Sequence, residues 1–177
     1  LQEYGKEVIF KPLKMKNTTW SLSETDLAKH TKLYDKKGGT LKSISLYECP
    51  TYPDGGIRTT VSELSRYFSA LLNDGEFDGI RILSKSSLQS MQKFQFDGTN
   101  KPVNRNLDKL NSGIFWATKM GASRVGYNGS DPGVRVFMLS DLTKEIGVVF
   151  FINTSVDDEG LSFEICNILY QYGQSLK

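Results

Sequence analysis

The sequence is poor in the residues that bind metals and form crosslinks. Its 177 residues include one histidine and two cysteines. A single histidine cannot supply a histidine-rich metal site, and Cys49 and Cys166 do not form a cluster that would hold zinc. With only two cysteines in very different settings, we expect free thiols, with a disulfide as the less favoured alternative. We expect neither a metal nor a cofactor.

Long runs of one residue type are also missing. The longest apolar runs have about seven residues, whereas a membrane-spanning helix needs roughly 20. The 22 basic and 20 acidic residues are interleaved, and the net charge is +2. Without a long basic run, specific nucleic-acid binding is not expected. With 38% apolar and 24% charged residues, the composition is that of a folded globular domain.

The beginning of the chain predicts the last turns of a helix. Glu3–Phe10 contains adjacent apolar residues, and Pro12 cannot continue a helix. The sequence has neither an initiator methionine nor a signal-peptide pattern. We therefore expect the chain to be a piece of a longer protein.

The strongest helix prediction lies in the middle of the chain. Thr60 can cap a helix, and Glu63 stands at the spacing that completes a capping box. Asn73-Asp74-Gly75 ends the helix, with glycine where a left-handed conformation is required. Apolar residues on one predicted face are Val61, Leu64, Phe68, Leu71 and Leu72.

Weaker start and turn signals predict three smaller elements. Ser84 can cap a short helix over Lys85–Gln92, and Ser23 can cap another over Glu24–Lys29. Lys37-Gly38-Gly39 separates two strand-like segments and predicts a β-hairpin.

The last third of the chain predicts strands followed by a helix. Val134–Leu139 and Ile146–Ile152 are rich in β-branched and aromatic residues, and Asp141–Glu145 is a connection of hairpin length. Neither strand alternates cleanly, so we expect both faces to be buried. A terminal helix is predicted to begin at Asp157 or Asp158. Its apolar stripe comprises Leu161, Ile165, Ile168 and Tyr172, with Leu169 and Leu176 beside it.

These elements predict an α+β fold, in which an antiparallel sheet carries a packed C-terminal helix next to a helical region. We treat residues 1–177 as a single partial domain. The helical and loop part covers about residues 1–112, and the sheet with its terminal helix covers about residues 113–177.

One glycine-rich stretch allows two interpretations. Gly126-Tyr127-Asn128-Gly129-Ser130-Asp131-Pro132-Gly133 contains three glycines and a proline. Spacing alone favours a turn between strands. The alternative is a strand edge that allows a ligand to approach the backbone.

Several motifs in order resemble a known superfamily. Phe10-Lys11-Pro12-Leu13-Lys14-Met15-Lys16-Asn17-Thr18 is similar to the pattern F-x-P-L-G-M-x-x-T. The other matching segments are Pro53–Thr60, Glu63–Tyr67, Arg81–Ser84, Gly126–Gly133 and Gly147–Asn153. Together they resemble the C-terminal half of the serine β-lactamase-like superfamily, which includes class C β-lactamases, D-alanyl-D-alanine carboxypeptidases, related penicillin-binding proteins and esterases. The resemblance implies a β-lactamase/transpeptidase-like fold.

The resemblance also implies a site. In such proteins a serine of an S-x-x-K motif attacks a carbonyl, and a later K-T-G or H-x-G strand lines the cleft. Tyr127, Asn128 and Gly129 stand at this later motif and are the implied substrate-binding residues. The backbone N–H of Ser130 is the implied oxyanion donor. Tyr127 replaces the usual lysine or histidine and cannot form an ion pair with a carboxylate, which favours an uncharged acyl substrate or an inactive site.

The implied nucleophile is absent from the chain. Ser90-Met91-Gln92-Lys93 matches S-x-x-K, but it follows the place where the catalytic motif belongs, so we interpret it as a chance match. The resemblance implies a portion of a serine acyl hydrolase that is inactive alone. The alternative is a catalytically dead relative used for binding or assembly.

The resemblance also bears on partners and compartment. It implies a small-molecule acyl substrate for the parent protein and a periplasmic, secreted or membrane-anchored location. Because N-terminal strands complete the sheet in this superfamily, we expect an exposed sheet edge in this chain. An open edge pairs readily with another chain, so self-association is expected.

Overall fold

The computed structural model describes residues 1–155 and 159–177, and it confirms the α+β class. An antiparallel four-stranded sheet lies between helices. The helices are α1 (Gln2–Gly5, continued by a π-helical turn over Lys6–Phe10), a 3₁₀ turn (Leu22–Glu24), α2 (Val61–Leu72), α3 (Lys85–Gln92) and α4 (Glu159–Ser175). The strands are β1 (Leu33–Lys37), β2 (Thr40–Ile44), β3 (Glu76–Phe77), β4 (Ile80–Arg81), β5 (Ala117–Lys119), β6 (Arg124–Asp131), β7 (Val134–Ser140) and β8 (Gly147–Ile152).

The main sheet has the order β5-β6-β7-β8, with every neighbouring pair antiparallel. Strands β7 and β8 confirm the two predicted apolar strands. The glycine-rich stretch is mostly strand rather than turn, because β6 continues to Asp131 and only Pro132-Gly133 forms the connection to β7. The turn interpretation was therefore wrong for residues 126–131.

Both faces of the sheet are covered, which explains why its apolar strands do not alternate with polar residues. On one face, α2 and α3 form a core whose buried members are Phe68, Leu71, Leu88, Trp116, Val125 and Met138. On the other face, α4 covers a core formed by Phe137, Leu139, Val148, Phe150 and Cys166. Each buried side chain of this size stabilises the fold by roughly 1.5–3 kcal/mol. The sheet is thus the middle of three layers.

Helix α2 follows its prediction at both ends but not throughout. The Thr60 hydroxyl accepts a hydrogen bond from the Glu63 N–H at 3.2 Å, and the helix ends before Gly75, whose φ is 87°. Val61 is 43% exposed, so it does not belong to the buried face. The capping box is incomplete, because the Glu63 side chain does not return to Thr60.

The Glu63 carboxylate instead binds the segment that carries the Phe10–Thr18 motif. It accepts hydrogen bonds from the backbone N–H of Asn17 at 3.0 Å, from the Asn17 side-chain amide at 2.8 Å and from the Thr18 hydroxyl at 2.7 Å. Glu63 is only 5% exposed. A buried carboxylate is stable only when it is paired or hydrogen-bonded, and here its partners fix the motif segment against α2.

The three smaller predictions have different outcomes. The Ser84-capped helix and the hairpin are confirmed, with Lys37 paired to Thr40 around Gly38-Gly39. The Ser23-capped helix is wrong. The Ser21 hydroxyl accepts from the Ser23 N–H, and the resulting 3₁₀ turn stops at Thr25, which is extended. Ser21 takes the capping position two residues earlier, so the longer helix never starts.

Helix α4 packs on the sheet through small residues. Ser162 is 0% and Cys166 1% exposed, and a Cβ built on Gly173 would lie 2.8 Å from the Ile146 side chain. Two residues of the predicted apolar stripe point away from the sheet, because Ile168 and Tyr172 are 58% and 64% exposed. Ile165 of the same stripe packs against the core. Small side chains allow the helix to approach closely, which the apolar pattern alone did not reveal. The predicted start at Asp157 or Asp158 lies outside the described residues.

The turn between β7 and β8 is held by a single carboxylate. Asp141 accepts hydrogen bonds from the Thr143 hydroxyl at 2.8 Å and the Glu145 N–H at 2.9 Å, and Tyr170 of α4 donates to it at 3.3 Å. Burial alone would raise the pKa of Asp141, but the hydrogen bonds outweigh burial and hold this pKa below its usual value. The same carboxylate thereby links the turn to α4.

Within residues 1–155 and 159–177, none of the helices combines the length and the apolar character needed to cross a bilayer. Strand β8 pairs with β7 on one side, and no strand in the described part of the chain pairs with its other side.

Candidate functional site

The candidate site lies where β6 has only one neighbour. Strand β5 pairs with residues 124–126, the last pair being Ala117 with Gly126. From Tyr127 to Asp131, β6 pairs with β7 alone, and no other described strand covers its second edge. All four predicted site residues, Tyr127, Asn128, Gly129 and Ser130, therefore lie consecutively along an open edge.

The hairpin geometry decides which backbone groups point outward. Asp131 and Val134 close a two-residue connection, so they form a hydrogen-bonded pair with each other. Backbone groups alternate in direction along an antiparallel strand. Consequently, Tyr127 and Gly129 bond to β7, whereas the N–H groups of Asn128 and Ser130 face the open edge. These two donors are about 7 Å apart, as two residues of a strand are.

The two glycines of β6 have different roles. Gly126 has a φ of 143°, and a Cβ there would lie 2.1 Å from the Met138 carbonyl oxygen, so the close packing of β6 on β7 requires glycine. At Gly129, no heavy atom of the described residues, apart from its own chain neighbours, lies within 4 Å of the Cβ position. Packing within the chain does not require glycine at residue 129, and its absence of a side chain leaves the strand accessible to a ligand.

Tyr127 has a cation next to it. Its side chain is 45% exposed, and the Lys119 ammonium lies 5.9 Å from the centroid of its ring. This distance is within the range of cation–π attraction. Lys119 belongs to β5 and is half-buried. The residue that replaces the usual basic side chain therefore has a basic neighbour from another strand.

A loop that includes Tyr47 and Gly55 lies against the end of β6. The Tyr47 hydroxyl donates a hydrogen bond to the Pro132 carbonyl at 2.8 Å. Burial is the main cause that raises the pKa of Tyr47, and the nearby Asp131 carboxylate raises it further. A Cβ on Gly55 would lie 3.9 Å from Asp131 Oδ2 and 3.8 Å from the Cys49 sulfur.

Arg58 holds this loop in place. Its guanidinium donates hydrogen bonds to the backbone carbonyls of Tyr47, Trp20 and Gly56. Because these three carbonyls belong to different segments of the chain, the hydrogen bonds of Arg58 stabilise the position of the loop.

Ser90 and the two cysteines do not belong to the open edge of β6. Ser90 is exposed on α3, and its hydroxyl donates to the Ser86 carbonyl at 2.9 Å rather than contacting Lys93. Both cysteines are free; Cys49 is half-buried and Cys166 is buried. In the two described ranges, no three histidine, cysteine, aspartate or glutamate side chains come together as a metal site would require.

Sequence reasoning missed the residues around the strand. Tyr47 has no recognisable motif. Lys119 has only a weak signal, because Lys119-Met120-Gly121 is a partial match to K-x-G that lies one strand before β6. The contact between Lys119 and Tyr127 arises from strand pairing, which a linear pattern does not show.

The Beta-lactamase family model matches residues 1–165. The chain belongs to the beta-lactamase family. This result confirms the resemblance drawn from the motifs and the fold that the resemblance implied. No curated relative matches the sequence.

Solved structures show the same fold in this beta-lactamase-family chain. The D-amino acid amidase from Ochrobactrum anthropi SV3, complexed with L-phenylalanine, has a TM-score of 0.74 at 19% identity; the match covers 99% of this chain and 51% of that one. The penicillin-binding protein from Bacillus halodurans has a TM-score of 0.68 at 23% identity, covering 94% and 49%. The octameric penicillin-binding protein homologue from Pyrococcus abyssi has a TM-score of 0.68 at 23% identity, covering 87% and 34%. The chain thus spans between a third and about half of these structures.

Proposed function

We propose that this chain is the oxyanion-binding portion of a serine acyl hydrolase. The reaction would be attack of a serine on an ester, amide or β-lactam carbonyl, with the serine in a segment upstream of Leu1. The observation that supports this most directly is the open edge of β6, where the Ser130 N–H points away from β7. The chain alone would not turn over substrate.

The edge suits the chemistry of acyl transfer. Attack on a carbonyl places negative charge on its oxygen, and N–H donors that are already in position stabilise that charge without reorganisation. The β7 strand fixes the outward direction of the Ser130 donor. The outward Asn128 N–H can pair with an extended part of the substrate, as when a peptide adds to a strand edge.

Intact mass measurement tests the proposal. The 177-residue chain and the full-length protein that contains it are incubated separately with a penicillin and with an activated ester. We expect one acyl adduct per full-length molecule and none on the chain alone. A stoichiometric adduct on Ser90 of the chain would show that Ser90 is the nucleophile, and it would contradict a catalytic serine upstream of Leu1.

Tyr127 favours a second function. In a catalytically dead relative, the same edge would bind a ligand or a partner without covalent chemistry. Binding of the penicillin or the ester to the full-length protein, without any adduct, would support this alternative over the first.

The chain alone should self-associate through β8. This strand is apolar over Val148–Ile152, and its outer edge carries none of the charges or prolines that protect edge strands. We expect light scattering to show concentration-dependent association of the 177-residue chain, and Phe151→Lys to reduce it. As a matched control, Leu41→Lys adds the same charge at a 58% exposed position of β2 and should leave association unchanged. A monomer at high concentration in the unaltered chain would contradict the proposal.

A further inference from the structure

The β1–β2 hairpin concentrates positive charge. Residues 32–42 contain four lysines and one aspartate, which gives this segment a net charge of +3. Because the whole chain has a net charge of +2, the other 166 residues together sum to −1. A local excess of one sign attracts partners of the opposite sign, so the hairpin favours an anionic partner.

The hairpin projects from the body of the fold. Strands β1 and β2 form a separate two-stranded sheet, and its base is attached by the Tyr34 N–H, which donates to the Asn153 carbonyl at 3.0 Å. At Gly38 and Gly39 of the tip, no heavy atom of the described residues, apart from their own chain neighbours, lies within 4 Å of the Cβ position. The tip is therefore accessible to a large and flat partner.

The two faces of the hairpin differ. Strand pairing places Leu33 opposite Ile44 on one face and Lys36 opposite Leu41 on the other. A Cβ on Gly133 would lie 2.8 Å from the side chains of both Leu33 and Ile44, so the first face packs on the turn between β6 and β7. The second face points outward. On this outward face Lys36 is exposed, and Leu41 is 58% exposed.

The combination of lysine and exposed leucine suits an anionic lipid surface better than a nucleic acid. Lysine ammonium groups are attracted to anionic headgroups, while lysine stems and leucine contact the hydrocarbon boundary. Nucleic acids are read mainly through arginine and stacked aromatic side chains. Residues 32–42 contain no arginine and one aromatic residue, Tyr34, which is half-buried.

Residues 11–16 form a second basic segment of different character. They contain three lysines and no acidic residue, so their net charge is also +3. Their apolar side chains are buried, with Leu13 2% and Met15 5% exposed, and Arg66 of α2 donates hydrogen bonds to the carbonyls of Leu13 and Lys14. This segment therefore offers charge without exposed apolar side chains.

We propose that the outward face of the β1–β2 hairpin docks onto a membrane surface that contains anionic lipids. Lys32, which is exposed just before β1, and Lys36 attract the headgroups, and Leu41 enters the interfacial layer. Ser130 is three residues from Gly133, on which the hairpin packs, or about 10 Å along an extended chain. Docking thus holds the open edge of β6 near the membrane. This inference goes beyond the proposed function and does not depend on it.

Sedimentation of the full-length protein with lipid vesicles tests the inference. One set of vesicles is phosphatidylcholine alone, and the other also contains phosphatidylglycerol. We expect binding to the anionic vesicles only, weakened by added salt. The double variant Lys32→Gln/Lys36→Gln should lower the partition coefficient about 30-fold, which corresponds to about 1 kcal/mol for each lysine.

Two further variants separate charge from the outward face. Leu41→Asn should lower binding to the anionic vesicles without changing its dependence on salt, because it removes apolar contact and no charge. The matched control Lys14→Gln/Lys16→Gln removes two exposed lysines from residues 11–16 and should leave binding nearly unchanged. Circular dichroism of each variant verifies that the fold is retained.

Several results would overturn the inference. Equal losses in the two double variants would show that net charge alone drives binding, and unchanged binding of Leu41→Asn would exclude its insertion. Without a preference for anionic vesicles, the lysines would serve only to protect the hairpin edges from pairing with other strands. Binding to a short DNA duplex but not to vesicles would identify a nucleic acid as the partner. A protein that binds anionic vesicles through Lys32 and Lys36 but forms no acyl adduct would support this inference while the proposed function fails.

Discussion

Replacing Ser130 by proline should lower kcat of the full-length protein for an activated ester by about 10²–10³-fold. Proline has no N–H, so the variant lacks the outward donor that we assign to the oxyanion. Removal of one such donor from an acyl-transfer site typically costs this much. Because the Ser130 N–H does not bond to β7, the substitution removes no hydrogen bond from the sheet, and proline is tolerated at such edge positions.

Ser130→Ala is the matched control. It removes the hydroxyl but keeps the N–H, and we expect kcat within a few-fold of the unaltered protein. Equal losses in the alanine and proline variants would assign the effect to the hydroxyl instead. Circular dichroism and thermal unfolding of both variants establish that the sheet is intact. Full activity in Ser130→Pro would rule out this N–H as an oxyanion donor.

Replacing Glu63 by alanine should lower the free energy of unfolding by about 2–3 kcal/mol, the range for breaking a buried hydrogen-bond network. The carboxylate has partners in Asn17 and Thr18. Thr18 is 6% exposed, so its hydroxyl loses this acceptor where water has little access. Chemical denaturation of the full-length protein measures the change.

The surface pair of Glu76 with Arg81 provides the control for Glu63. The two side chains lie 2.6 Å apart and are substantially exposed, and such pairs contribute at most about 1 kcal/mol. We expect Glu76→Ala to have a correspondingly small effect. Equal effects of the two alanine substitutions would mean that the Glu63 network does not hold the motif segment.

The sequence was a good guide to elements whose causes are local. Thr60 and Ser84 cap their helices with hydrogen bonds that span three residues, so a short pattern contains the whole interaction. The strands β7 and β8 are apolar on both faces, and this composition is sufficient to predict burial by two layers. In each case the decisive residues are neighbours along the chain.

The sequence was a poor guide where distant groups compete. Glu63 has the right spacing for a capping box, yet its carboxylate binds Asn17, 46 residues away. The apolar stripe of α4 shows that one face is apolar, but Ser162 and Cys166 allow a closer approach to the sheet. Which face is buried depends on packing between elements, and this is not encoded in the periodicity of a single helix.

The candidate site was predictable in part. The motif resemblance selected Tyr127–Ser130, and the structure brings these residues together on one open edge. Whether each N–H points outward depends on the register of the hairpin, which a linear motif does not specify. The position of Lys119 depends on pairing between β5 and β6.

Because the two thiols differ in exposure, the folded protein can be labelled selectively at one cysteine. Cys166 is 1% exposed, and burial raises its pKa, so it presents little reactive thiolate to an alkylating reagent. Cys49 is half-buried and lies next to Gly55, which approaches Asp131 at the end of β6. A fluorophore attached through maleimide chemistry would therefore be located beside the candidate site without any engineered cysteine. The fluorescence of labelled Cys49 can therefore be used to follow ligand binding in titrations.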